Sequence, residues 1–89
     1  TEALTEIAID LGISKDDATN FAKNTFIGSA ILLDSDNINN VTSLRKNVTS
    51  PGGTTEAALK ILMNEEEGLK IILKKAVLNA IIRANELKR

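Results

Sequence analysis

The sequence predicts an all-α fold of five helices in one domain, residues 1–89, and three observations favour this class. Apolar residues make up 43% of the chain but aromatic residues only 2%, so any core must be aliphatic. The apolar residues recur at helical spacing. Gly12, Pro51 and Gly68 stand where helices are expected to end. A chain of this length buries only about 60–65% of the surface that its unfolded form exposes, so a stabilising partner is plausible.

The first two helices follow from the apolar pattern, and the second is the clearer of them. Apolar residues within residues 3–11 predict a short helix that stops at Gly12, a residue suited to a left-handed helix end. Ser14, with an aspartate three residues later, resembles a capping box. Behind it, one apolar face continues to Leu33, which predicts a second helix of roughly five turns.

Turn-forming residues fill residues 34–40 and separate the second helix from a short third one. Val41, Leu44 and Val48 carry the third helix, which must end before Pro51 because a proline disfavours helical geometry in the residue before it.

A fourth helix follows the Ser-Pro-Gly-Gly segment. We expect a hydroxyl of Thr54 or Thr55 to cap its first turn. The helix is expected to run towards Gly68, and its apolar positions are Ala58, Leu59, Leu62 and Met63.

The fifth predicted helix, residues 69–87, is apolar on more than one side. Ile71, Leu78 and Ile82 form a second face beside the main one. A helix that is apolar on two sides is normally buried on two sides. A second copy of the chain is the favoured cover, and the alternative is a central helix surrounded by its own four neighbours.

Charge and composition exclude several function classes. The chain has 11 basic and 12 acidic residues, no Cys and no His. It therefore lacks a basic surface with stacking aromatics for nucleic acid, a thiol or imidazole for catalysis, and a soft metal site. No apolar run approaches the roughly 20 residues that span a bilayer. We expect a soluble, cytoplasmic protein that binds neither nucleic acid nor membrane, and the missing initiator Met leaves open a cut fragment.

The segment Ser50-Pro51-Gly52-Gly53-Thr54-Thr55 is the candidate binding site. Two glycines before a helix can present several N–H groups in a concave array at the positive end of the helix dipole. The segment carries no Lys of the kind found in triphosphate-binding loops, so a carboxylate is the favoured ligand. A capped helix start that binds nothing remains the alternative.

The segment Asn-Val-Thr-Ser-Pro-Gly-Gly-Thr-Thr-Glu-Ala-Ala-Leu-Lys-Ile-Leu resembles the signature of pyrroline-5-carboxylate reductase, the enzyme that makes proline. The resemblance covers nearly the whole chain and includes Glu2, the Leu11-Gly12 turn, Asn24-Thr25, Gly28, Leu32-Leu33, Leu44-Arg45, Ala76-Val77, Arg83 and Glu86. The sequence departs from that family at residues 67–70 and at Asn85. It also lacks a βαβ unit with a GxGxxG fingerprint, so the N-terminal Rossmann domain of such an enzyme is absent from this chain.

The resemblance implies that the chain is the C-terminal dimerisation and substrate-binding domain of this reductase. NADPH or NADH, bound mainly by the missing Rossmann domain, would deliver hydride to the C=N carbon of 1-pyrroline-5-carboxylate. Ser50 with the N–H groups of Gly53 and Thr54 would hold the substrate carboxylate. Thr55 would hydrogen-bond the ring nitrogen and is the candidate catalytic residue, and Val48 would form an apolar wall. The implied substrate-binding residues are Val48, Ser50, Pro51, Gly52, Gly53, Thr54 and Thr55.

The same resemblance implies an intertwined homodimer, with assembly into a higher oligomer left open. The fragment alone is expected to be inactive, since nothing in it binds a dinucleotide. Two alternatives remain: a non-catalytic helical homodimerisation module, and the C-terminal domain of a different nicotinamide-dependent dehydrogenase.

Overall fold

The computed structural model describes residues 1–36 and 40–88, and within them every regular element is a helix. The all-α prediction is therefore confirmed. Residues 37–39, in the predicted turn, and Arg89 lie outside the described residues. The chain divides into two compact units, Thr1–Thr42 and Ser43–Arg89. The helices are α1 (Glu2–Asp10), α2 (Lys15–Ser35), α3 (Val41–Asn47), α4 (Thr54–Leu62) and α5 (Leu69–Glu86).

The first unit is formed mainly by α1 packed against α2. Gly12 follows α1 with a φ of 98°, so the predicted left-handed stop is confirmed. Ser14 caps α2, and its hydroxyl oxygen accepts the N–H of Asp17 at 3.3 Å. Ala18 is 0% and Ala22 5% exposed, and these small side chains allow close approach between the two helices.

The large apolar side chains of the first unit remain at its surface. Ile7 is 52% exposed, Phe21 58% and Ile31 62%. Since α1 covers only the alanine positions of α2, most of the apolar face predicted for the second helix has no cover within this unit.

The second unit holds α4 and α5, and α3 leads into it. The Arg45 guanidinium, on α3, contacts the sulfur of Met63 with a 2.8 Å separation between Nη1 and Sδ. Met63 is the residue that follows α4. This contact links α3 to the end of α4.

The turn between α4 and α5 is built around Asn64. Its side-chain oxygen accepts the N–H groups of Glu66 and Glu67, each at 2.9 Å, and its carbonyl accepts the N–H of Gly68 at 2.9 Å. The fourth helix was expected to run towards Gly68, but it ends at Leu62. Asn64 stops it, because a side chain that bonds the backbone locally competes with helix continuation.

The second apolar face of α5 is largely uncovered. Leu78 is 49% and Ile82 57% exposed, and Ile72 on the other face is 59% exposed; only Ile71 is half-buried. Within the second unit, the neighbouring helices therefore leave most of α5 uncovered. Of the helices that the structure describes, none has both the length and the apolar content that crossing a bilayer requires.

Gly68 offers a test of the α4–α5 turn. It is buried, and a Cβ added there would collide with the backbone oxygens of Asn64 and Leu62, the latter at 2.6 Å. We expect Gly68→Ala to lower the free energy of unfolding by about 1–3 kcal/mol, the usual range for overpacking. Urea denaturation at fixed protein concentration measures this change. Glu67→Ala is the matched control and should change stability by less than about 0.5 kcal/mol; equal losses in both variants would contradict the collision.

Candidate functional site

The candidate site begins where α3 ends. The Thr49 hydroxyl donates to the carbonyl of Arg45 at 2.6 Å, and its N–H donates to the carbonyl of Lys46 at 3.1 Å. These two bonds tie the start of the binding segment to α3. Val48, the last apolar residue predicted for the third helix, lies just beyond it and is 65% exposed. Its role as an apolar wall stays a prediction.

Ser50, Pro51, Gly52 and Gly53 form a tight turn. The N–H of Gly53 donates to the carbonyl of Ser50 at 2.9 Å. Gly52 has a φ of 73°, a conformation that costs a residue with a Cβ roughly 1–2 kcal/mol. Proline at the second position and a positive φ at the third are the pattern of a type II turn. The glycine is therefore required by the turn itself.

The first turn of α4 has a different cap from the one predicted. Gly53 is the N-cap, in extended geometry, and no side chain caps the helix. The prediction that a hydroxyl of Thr54 or Thr55 caps it is wrong, because these residues lie one and two positions after the cap and are already helical. The hydroxyls of Ser50, Thr54 and Thr55 have no hydrogen-bond partner within residues 1–36 and 40–88. They are available to a ligand.

The backbone donors of the segment divide into two groups. The N–H of Gly53, assigned to the carboxylate by the resemblance, is already donated to Ser50 and is available only if the turn opens. The N–H groups of Thr54 and Thr55 find no acceptor in the described part of the chain. Unpaired N–H groups in a first helical turn carry the partial positive charge of the helix dipole and favour an anion. The available donors are therefore Thr54 and Thr55 rather than Gly53.

Glu56 follows the segment directly, and its contact with the segment was not predicted from the sequence. This half-buried residue is the third of α4, and its Oε2 accepts the N–H of Gly52 at 3.0 Å. In a capping box, a Glu at the third helical position accepts the N–H of the cap residue; here Glu56 reaches one residue further back, to Gly52. The signal was present in the sequence, but placing the cap at Thr54 or Thr55 concealed it.

An apolar groove lies elsewhere in the second unit, between α4 and α5. It does not include the segment from Val48 to Thr55. Arg45 and Lys74 are among its polar lining residues. Its apolar lining includes Leu59, Leu62, Met63, Leu69, Leu73 and Val77. The described residues contain no group of three or more acidic side chains that could hold a metal ion.

Comparison with known proteins gives a consistent result. The family model for pyrroline-5-carboxylate reductase dimerisation matches residues 1–87. A pyrroline-5-carboxylate reductase from Staphylococcus haemolyticus is 33% identical over 99% of this chain and 31% of that protein. The Mycobacterium leprae enzyme of the same name is 35% identical over 98% of the chain and 34% of its own length. Pyrroline-5-carboxylate reductase 3 from Bos taurus is 39% identical over 100% of the chain and 28% of that protein.

The chain thus spans about a third of the length of these relatives. No solved structure matches it.

The cap assignment has a direct test. Because neither hydroxyl caps α4, Thr54→Ala and Thr55→Ala should each change the free energy of unfolding by less than about 0.5 kcal/mol. Ser14→Ala, which removes an observed cap, should lower it by about 0.5–2 kcal/mol. Urea denaturation of the three variants at one protein concentration makes the comparison. If Thr54→Ala or Thr55→Ala lowered the free energy of unfolding by about 0.5–2 kcal/mol, that hydroxyl would cap the helix after all.

Proposed function

Because the chain belongs to the pyrroline-5-carboxylate reductase dimerisation family, we propose that it is the dimerisation and substrate-binding domain of such an enzyme. The enzyme would reduce 1-pyrroline-5-carboxylate to proline with NADPH or NADH. One observation carries the proposal: the family match covers residues 1–87 and so includes the whole Ser-Pro-Gly-Gly-Thr-Thr segment. A non-catalytic dimerisation module would share the helices and would also leave the first N–H groups of α4 unpaired, so activity of the full-length enzyme distinguishes the two.

The partner in this proposal is a second copy of the chain. Large apolar side chains are exposed in both units, among them Phe21 on α2 and Ile82 on α5. A two-fold dimer covers such faces with the same faces of its partner, so no other protein is needed. The intertwined arrangement and any higher oligomer stay predictions.

The proposed substrate site uses the donors that the chain leaves unpaired. The Ser50 hydroxyl and the Thr54 N–H would bind the substrate carboxylate, since a carboxylate is favoured at a helix N-terminus. The Thr55 hydroxyl would donate a hydrogen bond to the ring nitrogen of the C=N bond. The hydrogen bond from Thr55 strengthens as electron density rises on nitrogen during reduction. It therefore favours the transition state over the bound substrate.

The cofactor is assigned to another domain of the full-length enzyme. A nicotinamide supplies hydride, and its usual site is a βαβ unit, whereas the described elements of this chain are all helices. In this proposal the residues of this chain bind and orient the substrate, and the dinucleotide is bound mainly by the other domain. A cytoplasmic location stays a prediction.

The dimer is tested by analytical ultracentrifugation of the 89-residue chain. We expect a dimer at micromolar concentration, because one chain leaves Leu78 and Ile82 about half exposed. Ile82→Glu should dissociate it, since a charge in an apolar interface loses its hydration without gaining a partner. Lys88→Glu, a charge change just after α5, is the control and should leave the dimer intact. A folded monomer for the unsubstituted chain would refute the proposed partner.

The catalytic role of Thr55 is tested by steady-state kinetics of the full-length enzyme. We expect Thr55→Ala to lower kcat and kcat/KM together, by roughly tenfold or more, because a hydrogen bond specific to the transition state is lost. Thr55→Ser keeps the hydroxyl and should retain most of the activity. Unchanged kcat in Thr55→Ala would remove Thr55 from the mechanism.

Ser50→Ala provides the contrast in the same assay. Carboxylate binding is similar in the ground and transition states, so its loss should raise KM for 1-pyrroline-5-carboxylate more than it lowers kcat. Sedimentation of each variant must first show a dimer, so that lost assembly is not scored as lost catalysis.

A further inference from the structure

Two consecutive amides of the turn donate to two different acceptors. The Gly53 N–H bonds the Ser50 carbonyl at 2.9 Å, and the Gly52 N–H bonds the Glu56 carboxylate at 3.0 Å. We propose that Glu56 is a positioning residue for the substrate carboxylate, which it serves by holding the Ser50–Gly53 turn against the first turn of α4. This role rests on the proposed reductase function.

Each end of the segment is fixed next to a helix. Thr49 is bonded to the backbone of α3 through two hydrogen bonds, and Gly53 is the N-cap of α4. Between them, the Gly53–Ser50 bond closes the turn onto the cap residue but reaches no residue within α4 itself. Glu56 belongs to α4, so its bond to Gly52 is the contact that ties the turn to that helix.

The Gly52–Glu56 hydrogen bond matters because the two groups proposed to donate to the substrate carboxylate lie on opposite sides of it. Ser50 precedes the turn, whereas Thr54 and its N–H belong to the helix. Both must reach the same carboxylate, and a loose turn would let their separation vary. Thr55 is positioned by the helix alone, so loosening the turn should affect carboxylate binding more than contact with the ring nitrogen.

The Glu56 carboxylate also decides which backbone N–H groups remain unpaired and available to a ligand. With Gly52 bonded to Glu56 and Gly53 bonded to Ser50, the unpaired N–H groups begin at Thr54. Glu56 therefore occupies the donor that an external carboxylate could otherwise take at Gly52, and directs the substrate towards Ser50 and Thr54.

Two substitutions separate the effect of the length of the Glu56 side chain from the effect of its charge. Glu56→Gln keeps the length of the side chain and a hydrogen-bond acceptor but removes the charge. Glu56→Asp keeps the charge in the first turn of α4, with its favourable helix-dipole interaction, but is one methylene too short to reach Gly52. A positioning role requires Gln to behave like the native residue and Asp to behave like Ala.

The kinetic test uses the full-length enzyme with 1-pyrroline-5-carboxylate as the varied substrate. We expect Glu56→Ala and Glu56→Asp to raise KM about three- to tenfold, the factor that corresponds to one lost hydrogen bond, with kcat within about twofold of the native value. Glu56→Gln should keep KM within about twofold. A KM pattern that follows charge, with Asp native-like and Gln impaired, would overturn the proposal, as would unchanged KM in all three variants. If the Ala variant does not assemble, the contrast between Asp and Gln still decides.

A second measurement reports on the hydrogen bond without requiring turnover. In ¹⁵N NMR spectra of the dimer, the Gly52 amide should exchange with solvent several times faster in Glu56→Asp than in the native protein and in Glu56→Gln. Equal exchange in all three would refute the Gly52–Glu56 bond. If the native enzyme turned over no 1-pyrroline-5-carboxylate, the proposed function would fail and the kinetic role with it. Failure of the Glu56 role alone would instead appear as normal turnover with unchanged KM in the Asp variant.

Discussion

The apolar side chains of this chain outnumber the positions that a single copy can cover, and this constraint shapes the rest of the structure. Among the described residues of the first unit, only Ala18 and Ala22 are buried apolar residues, and in the second unit α5 keeps both of its apolar faces open. The exposed side chains are bulky aliphatic and aromatic residues, so their contact with water carries a free-energy cost. The helices are thus arranged around surfaces that something else must complete.

The candidate site depends less on that constraint, because its geometry is local. Gly52 makes the turn possible, Gly53 begins α4, and Glu56 joins the two. The result is a segment in which the N–H groups of Gly52 and Gly53 are bonded to the chain and those of Thr54 and Thr55 are not. Such a division suits a site that must be ordered before the substrate arrives, since less conformational entropy is then lost on binding.

The features that could be predicted from the sequence are those that local hydrogen bonds and helical periodicity decide. The Ser14 cap and the Gly12 stop follow from single residues with strong positional preferences. The predicted hydroxyl cap at Thr54 or Thr55 was wrong, because a glycine and two threonines in succession can each begin a helix and only the turn hydrogen bond selects Gly53. The end of α4 was misplaced since it depends on how the Asn64 side chain folds back.

The need for a cover over the apolar faces could be inferred from their composition, but the identity and arrangement of that cover could not, because they depend on atoms outside the chain. The exposed faces have a further consequence for how the protein responds to dilution. In the proposed dimer, folding and association are one equilibrium, so each tenfold fall in subunit concentration removes about 1.4 kcal/mol from the free energy that holds the pair together. Melting temperatures would then have meaning only at a stated concentration. Cellular abundance itself would become a determinant of how much of the enzyme is intact.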